Sequence, residues 1–126
     1  MAVLLNHTIV PARDKHESAR FLSRVLGVAE PKTFAHFVVV QLDNGVSLDF
    51  DDANEIDTRH FAFLVDEDEF DEIFDRVKNE NLRYYADPGH RLAGEINTRD
   101  GGRGFYFDDP DGHNLEILTR PYGSRP

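Results

Sequence analysis

Apolar and polar positions along this chain fall into two related passages. Leu4 to Val10 is rich in β-branched residues and predicts a strand. Asp14 with Glu17 three residues on makes a capping-box pattern. Ala19, Leu22, Val25 and Leu26 then recur at helical spacing, and Gly27 is a natural stop. The same order returns in the second half. His60 to Val65 predicts a strand, Asp66 with Glu69 repeats the capping box, and Phe70, Ile73, Phe74 and Val77 repeat the stripe as far as Asn81.

Short strands follow each helix. In the first half they are Phe37 to Leu42 and Val46 to Asp51, joined by Asp43-Asn44-Gly45, a strong hairpin signal. In the second half they are Arg83 to Ala86, Gly104 to Phe107 and Asn114 to Leu118, the last two joined by the turn-rich stretch Asp108 to His113. Each half reads as β-α-β-β-β. The prediction is an α+β fold of two βαβββ modules, about 1–55 and 56–126, within a single domain spanning 1–126. Strands such as His60 to Val65 are apolar on both faces. A helix covers one face, and the other must meet a core or a cavity.

Composition narrows the function. The chain has 126 residues, no cysteine and a net charge of −10. Disulfides, thiolate metal sites and a cysteine nucleophile are excluded. The acidic balance argues against nucleic acid, and no apolar run is long enough to span a membrane. No basic leader precedes the first strand, so a soluble, cytoplasmic protein is expected.

The residues able to do chemistry repeat with the modules. His7 and His60 each stand in the first strand of a module, and Glu116 stands in the last strand of the second. A lone strand histidine is more often a hydrogen-bonded rim residue than a ligand. Two imidazoles and a carboxylate at related places, however, suit a divalent metal with open positions for substrate. Asp49, in the last strand of module one, could complete such a shell or act as a general base. Tyr106, ten residues before Glu116, could donate a hydrogen bond or move a proton; otherwise it packs between Phe105 and Phe107. The polar, glycine-containing stretch from Ala86 to Arg103 carries His90, Arg91, Arg99 and Arg103. These either hold an anionic substrate or solvate a loop. His16, His36 and His113 read as surface residues.

Three segments carry a family resemblance: Leu5-Asn6-His7-Thr8-Ile9-Val10, His60-Phe61-Ala62-Phe63-Leu64-Val65, and Tyr106 through Asp108-Asp109-Pro110-Asp111-Gly112 to Glu116. The pattern resembles the vicinal oxygen chelate superfamily, which includes glyoxalase I, fosfomycin-resistance enzymes, extradiol dioxygenases and bleomycin-resistance proteins. The resemblance implies curved mixed sheets forming a metal-binding cleft, and one divalent ion (Fe2+, Mn2+, Ni2+ or Zn2+) on His7, His60 and Glu116. It implies a substrate that chelates the metal through neighbouring oxygens, a homodimer, and lyase/isomerase or ring-cleaving dioxygenase chemistry. Asp49 favours the first chemistry and Tyr106 the second. Phe50, His90, Arg103 and Phe105 are then expected to shape or line the substrate pocket. The alternative is a non-catalytic, drug-sequestering protein of the bleomycin-resistance type, which the negative charge would suit and the complete His7/His60/Glu116 set would not.

Overall fold

A computed structural model describes residues 2–124. The chain divides into two compact units, Met1–Asp57 and Thr58–Pro126. In the first, strand β1 (His7–Ala12) leads into helix α1 (Lys15–Leu26), and β2 (Lys32–Phe34), β3 (Phe37–Gln41) and β4 (Ser47–Asp52) follow. The sheet order is β1-β4-β3-β2, with β1 parallel to β4 and the other pairs antiparallel. In the second unit, β5 (His60–Leu64) leads into α2 (Glu67–Asn79), and β6 (Gly104–Asp108) and β7 (Asn114–Leu118) complete a sheet ordered β5-β7-β6.

Local chemistry sets the helix ends. The Asp14 carboxylate accepts the backbone N–H groups of His16 and Glu17, and Gly27 ends α1 at φ 72°, donating to the Ser23 carbonyl. Asp66 caps α2 by accepting from the Glu69 N–H. At the hairpin between β3 and β4, Gly45 takes φ 86°, a region that favours glycine.

Strand alternation sorts each sheet into two faces. Val38, Val40, Leu48 and Phe50 are buried on the face where α1 packs. In the second unit Phe105, Phe107, Leu115 and Ile117 form the corresponding buried layer. The ring of Phe105 meets Phe70 of α2 edge-on at 5.4 Å and Phe74 at 5.1 Å. The opposite faces carry the polar chemistry.

The modules differ in one respect. The strand expected at Arg83 to Ala86 shrinks to single bridges pairing Tyr85 with Tyr106 and with Ala93. The chain turns away at once. The Asp87 side chain takes the N–H groups of Arg91 and Leu92, the Asp87 carbonyl takes that of His90, and Pro88 has no N–H to offer a ladder. Backbone hydrogen bonds capture the Asp87 carboxylate well enough to hold its pKa below the ordinary carboxylate range. The first module gains β2, which its own sequence signals did not mark.

Candidate functional site

Register builds the site in the second unit. Glu116 pairs with Ala62 on one side and Tyr106 on the other, so these three side chains share a row on one face. Asn114 pairs with His60 and Asp108 to form the next row on the same face. His60 reaches across to the first row. Its Nε2 lies 3.0 Å from Oε1 of Glu116, and its Nδ1 lies 2.9 Å from the backbone carbonyl of Asn114.

A carbonyl oxygen only accepts, so Nδ1 carries the hydrogen there. In the neutral ring the Nε2 lone pair then faces a carboxylate oxygen, itself a lone-pair donor; in the protonated ring Nε2–H donates to that oxygen. Neighbouring ligands at about 2.1 Å from a divalent ion stand about 3 Å apart at right-angled coordination, close to the separation found here. Holding the far ring nitrogen with a backbone carbonyl is also the usual way a ligand imidazole is oriented.

Glu116 is 1% exposed, and burying a carboxylate bare is costly. Its partner besides His60 is Tyr122, whose hydroxyl stands 2.5 Å from both carboxylate oxygens. The Tyr106 hydroxyl is 3.1 Å from that of Tyr122, and Arg99 Nη1 donates to the Tyr106 oxygen at 2.9 Å. Arginine only donates and a carboxylate only accepts, so the two ends set the direction of the chain. Arg99 donates to Tyr106, Tyr106 to Tyr122, and Tyr122 to Glu116. Desolvation of its hydroxyl, followed by the hydrogen bond to Glu116, pushes the Tyr122 phenol far above the ordinary phenol range. Tyr122 and Arg99 are site residues that sequence reasoning did not pair with Glu116. Arg99 entered only as one of several loop cations, and Tyr122 carried no signal beyond its place in a Pro-Tyr-Gly-Ser turn.

In the first unit, His7 and Asp49 share the sheet face that points away from α1, because His7 pairs with Ser47 and Ile9 with Asp49. His7 is exposed, and its Nδ1 lies 2.7 Å from the side-chain oxygen of Asn6. In the tautomer that donates to Asn6, Nε2 carries the ring's lone pair. Asp49 is buried, and its Oδ1 accepts the Ser47 hydroxyl at 2.8 Å.

Several expectations need correction. Phe50 and Phe105 do not line a pocket: both belong to the buried layers beneath the helices, 2% and 0% exposed. Each neighbours a polar-face residue in its strand, and period-two alternation therefore turns it to the other side. Arg103 is occupied by α2, with Nε 2.7 Å from Glu67, Nη1 2.9 Å from Asp71 and the guanidinium 4.2 Å over the Phe70 ring. Its role is to fasten the helix to the sheet edge. His90 does reach the polar face. It stacks on Tyr85 at 4.2 Å, and its Nε2 lies 3.1 Å from the side-chain oxygen of Asn114, the residue whose carbonyl holds His60. The stretch from Ala86 to Arg103 is accordingly a braced loop, tied by Asn97 to the Ala86 carbonyl and to Gly104.

His113, expected at the surface, is fully buried. Together with Asp109 and Asp111 it offers three buried ligand atoms within 4.8 Å of one another. These groups already hold backbone. Asp109 Oδ1 accepts the N–H groups of Asp111 and His113, and His113 Nδ1 accepts that of Arg59. A neutral histidine accepting at Nδ1 carries its hydrogen on Nε2 and has no lone pair left for a metal. Burial pushes the Asp109 carboxyl above its ordinary pKa.

Known proteins resemble this chain along nearly its whole length. Residues 4–117 match the family model for the Glyoxalase/Bleomycin resistance protein/Dioxygenase superfamily. The Glutathione transferase FosA of Serratia marcescens is 30% identical over 96% of this chain and 84% of its own length. Among solved structures, Oxidase ChaP-H1 matches with a TM-score of 0.95 and 61% identity, over 98% of this chain and all of its own. Oxidase ChaP-H2 matches with a TM-score of 0.97 and 57% identity over the whole of both chains. With two helix-backed mixed sheets and a family match across nearly its full length, the chain belongs to the glyoxalase/bleomycin resistance protein/dioxygenase group, the vicinal oxygen chelate superfamily.

Proposed function

We propose that this chain is a divalent-metal-dependent enzyme that oxidises a small molecule bearing two neighbouring oxygens. The observation that carries the reading is the His60–Glu116 pair, with Nδ1 of His60 committed to the Asn114 carbonyl and Nε2 facing the carboxylate at 3.0 Å. His60 and Glu116 would hold the ion, and the family resemblance implies His7 as the second imidazole; its Nδ1 is likewise committed to an amide oxygen. When bound, the metal supplies Lewis-acid stabilisation of anionic substrate oxygens and a seat for oxygen chemistry. Fe2+ suits that chemistry; Mn2+, Ni2+ and Zn2+ suit the same ligands.

The chain's own residues do the rest. Arg99 donates to the Tyr106 oxygen, which orients the Tyr106 hydroxyl hydrogen along the sheet face beside Glu116. Asp49, which the resemblance ties to lyase or isomerase chemistry, is buried and steadied by Ser47 and would serve as a general base. His90 marks the edge of the substrate site through its contact with Asn114. Identity of 61% to an oxidase over nearly the whole chain supports oxidation over lyase or isomerase chemistry. The family resemblance carries with it a homodimer. Among the described residues, no helix is long and apolar enough to cross a membrane.

Metal analysis and an oxygen electrode test the reading. About one divalent ion per chain is expected, lost in Glu116→Gln, with oxygen uptake on ortho-dihydroxy aromatics under Fe2+. Turnover with Ni2+ or Zn2+ and no oxygen uptake would move the assignment to lyase or isomerase chemistry. Metal-free protein that binds a cationic glycopeptide unchanged in Glu116→Gln would replace it with sequestration.

A further inference from the structure

We propose that Tyr122 is a latch on the Glu116 carboxylate, a tethered phenol that must withdraw before a metal ion is taken up. The inference rests on the reading of Glu116 as a ligand. The Tyr122 hydroxyl is equidistant, at 2.5 Å, from Oε1 and Oε2. The phenol thus occupies both carboxylate oxygens, including Oε1 that faces His60, so it would compete with a cation held by His60 and Glu116. The competitor is strong, because a hydrogen bond to a buried carboxylate is charge-assisted and short.

The surroundings allow it to move. Tyr122 is 60% exposed as a residue, although its hydroxyl reaches the carboxylate of a residue that is 1% exposed. The ladder ends behind it with the Thr119 N–H on the Arg103 carbonyl, and Tyr122 sits in a small turn closed by Ser124 N–H on the Pro121 carbonyl. Gly123 takes φ 77° in that turn. Pro121, Tyr122 and Gly123 are all exposed. Lifting the phenol breaks its bonds to Glu116 and Tyr106. Tyr106 behaves differently. It is 1% exposed, lies in β6 and is held by Arg99, so its hydroxyl stays behind and faces the vacated position.

Such a latch gives the site two properties. Glu116 is never buried without a partner, whether or not metal is bound. Metal loading is also coupled to release of the segment after β7, which frees a phenol beside the site.

The test uses the full chain with Zn2+ and with Mn2+, titrated in competition with a chromophoric chelator. Tyr122→Phe keeps the ring and removes the hydroxyl. It is expected to bind either ion about tenfold more tightly than wild type, the effect of removing one charge-assisted competitor. In protein labelled with ring-13C tyrosine, Zn2+ should move the Tyr122 resonance to a solvent-exposed position, and should leave it in place in Glu116→Gln. If Tyr122→Phe binds the ions equally or more weakly, or if the Tyr122 resonance stays put while Zn2+ binds, the latch is wrong and the metal site stands. If Glu116→Gln binds both ions like wild type, the ligand reading fails, and the latch fails with it.

Discussion

The backbone carbonyl of Asn114 lies 2.9 Å from Nδ1 of His60, while the side chain of the same asparagine holds the His90 loop. One residue thus sets the ring orientation of one histidine through its backbone and the position of another through its amide. The two functions separate on mutation. Asn114→Ala keeps the carbonyl and loses the contacts to His90 Nε2 at 3.1 Å and to the Pro88 carbonyl at 3.2 Å. Two ordinary hydrogen bonds contribute about 2 kcal/mol together. Urea unfolding should show a loss of that order, and protease cleavage within 86–92 should rise. Affinity for Zn2+ should stay within threefold of wild type, because the group that orients His60 remains. A drop as large as that of His60→Ala would mean that the amide, not the carbonyl, positions the ring.

Arg103 separates a structural from a substrate role. Its guanidinium spans Glu67 and Asp71 and covers the Phe70 ring. Both carboxylates are exposed, so the ion pairs are screened and the ring contact adds a comparable small amount. Arg103→Ala should cost about 1 kcal/mol of stability at low salt and less at 1 M NaCl, with KM unchanged. A KM rise of tenfold with unchanged stability would restore Arg103 to substrate binding.

The elements legible in the sequence were those set by neighbours a few residues away. Asp14 and Gly27 mark α1, and Asp66 marks the start of α2, because a cap acts on N–H groups within one turn. The facing of Glu116 and Asn114 followed from strand alternation alone. The same alternation, applied one residue further, would have removed Phe50 and Phe105 from the pocket, since each adjoins a polar-face residue. Other features were hidden because their partners lie far along the chain or across a reversal. His113 sits in a polar hexapeptide that reads as a surface turn, yet its ring turns inward to accept the N–H of Arg59, 54 positions away. Tyr122 meets Glu116 only because the chain doubles back after β7, and no periodicity announces such a reversal.

The Asp109 turn makes a pH-dependent prediction. Burial raises the Asp109 pKa in the folded protein above its unfolded value. An acid with a raised folded pKa costs stability once it is ionised in the fold. That cost is full above the folded pKa and disappears as pH falls through the folded pKa to the unfolded one. Asp109→Asn keeps one oxygen able to accept both N–H groups of Asp111 and His113 and carries no charge. Its Tm should exceed that of wild type at pH 7, and the difference should shrink steadily toward pH 4. A difference that is absent at pH 7, or that grows on acidification, would show that the charge itself holds the turn.

Asp49 decides between ligand and base. It is buried on the same sheet face as His7, and its Oδ1 accepts from the Ser47 hydroxyl at 2.8 Å. Asp49→Asn retains an oxygen for Ser47 and a similar volume, so the fold should persist within about 1 kcal/mol. As a base, the carboxylate is needed only when a proton leaves the substrate. Its loss should therefore lower kcat by 100-fold or more while leaving metal affinity within a few-fold. As a ligand, its loss should weaken metal binding first, with activity recovering at excess metal. Ser47→Ala refines the distinction, because it removes the donor while keeping the carboxylate. A base held in place by Ser47 should lose several-fold in kcat and keep its metal. Parallel loss of metal affinity in both variants would place Asp49 in the coordination shell instead.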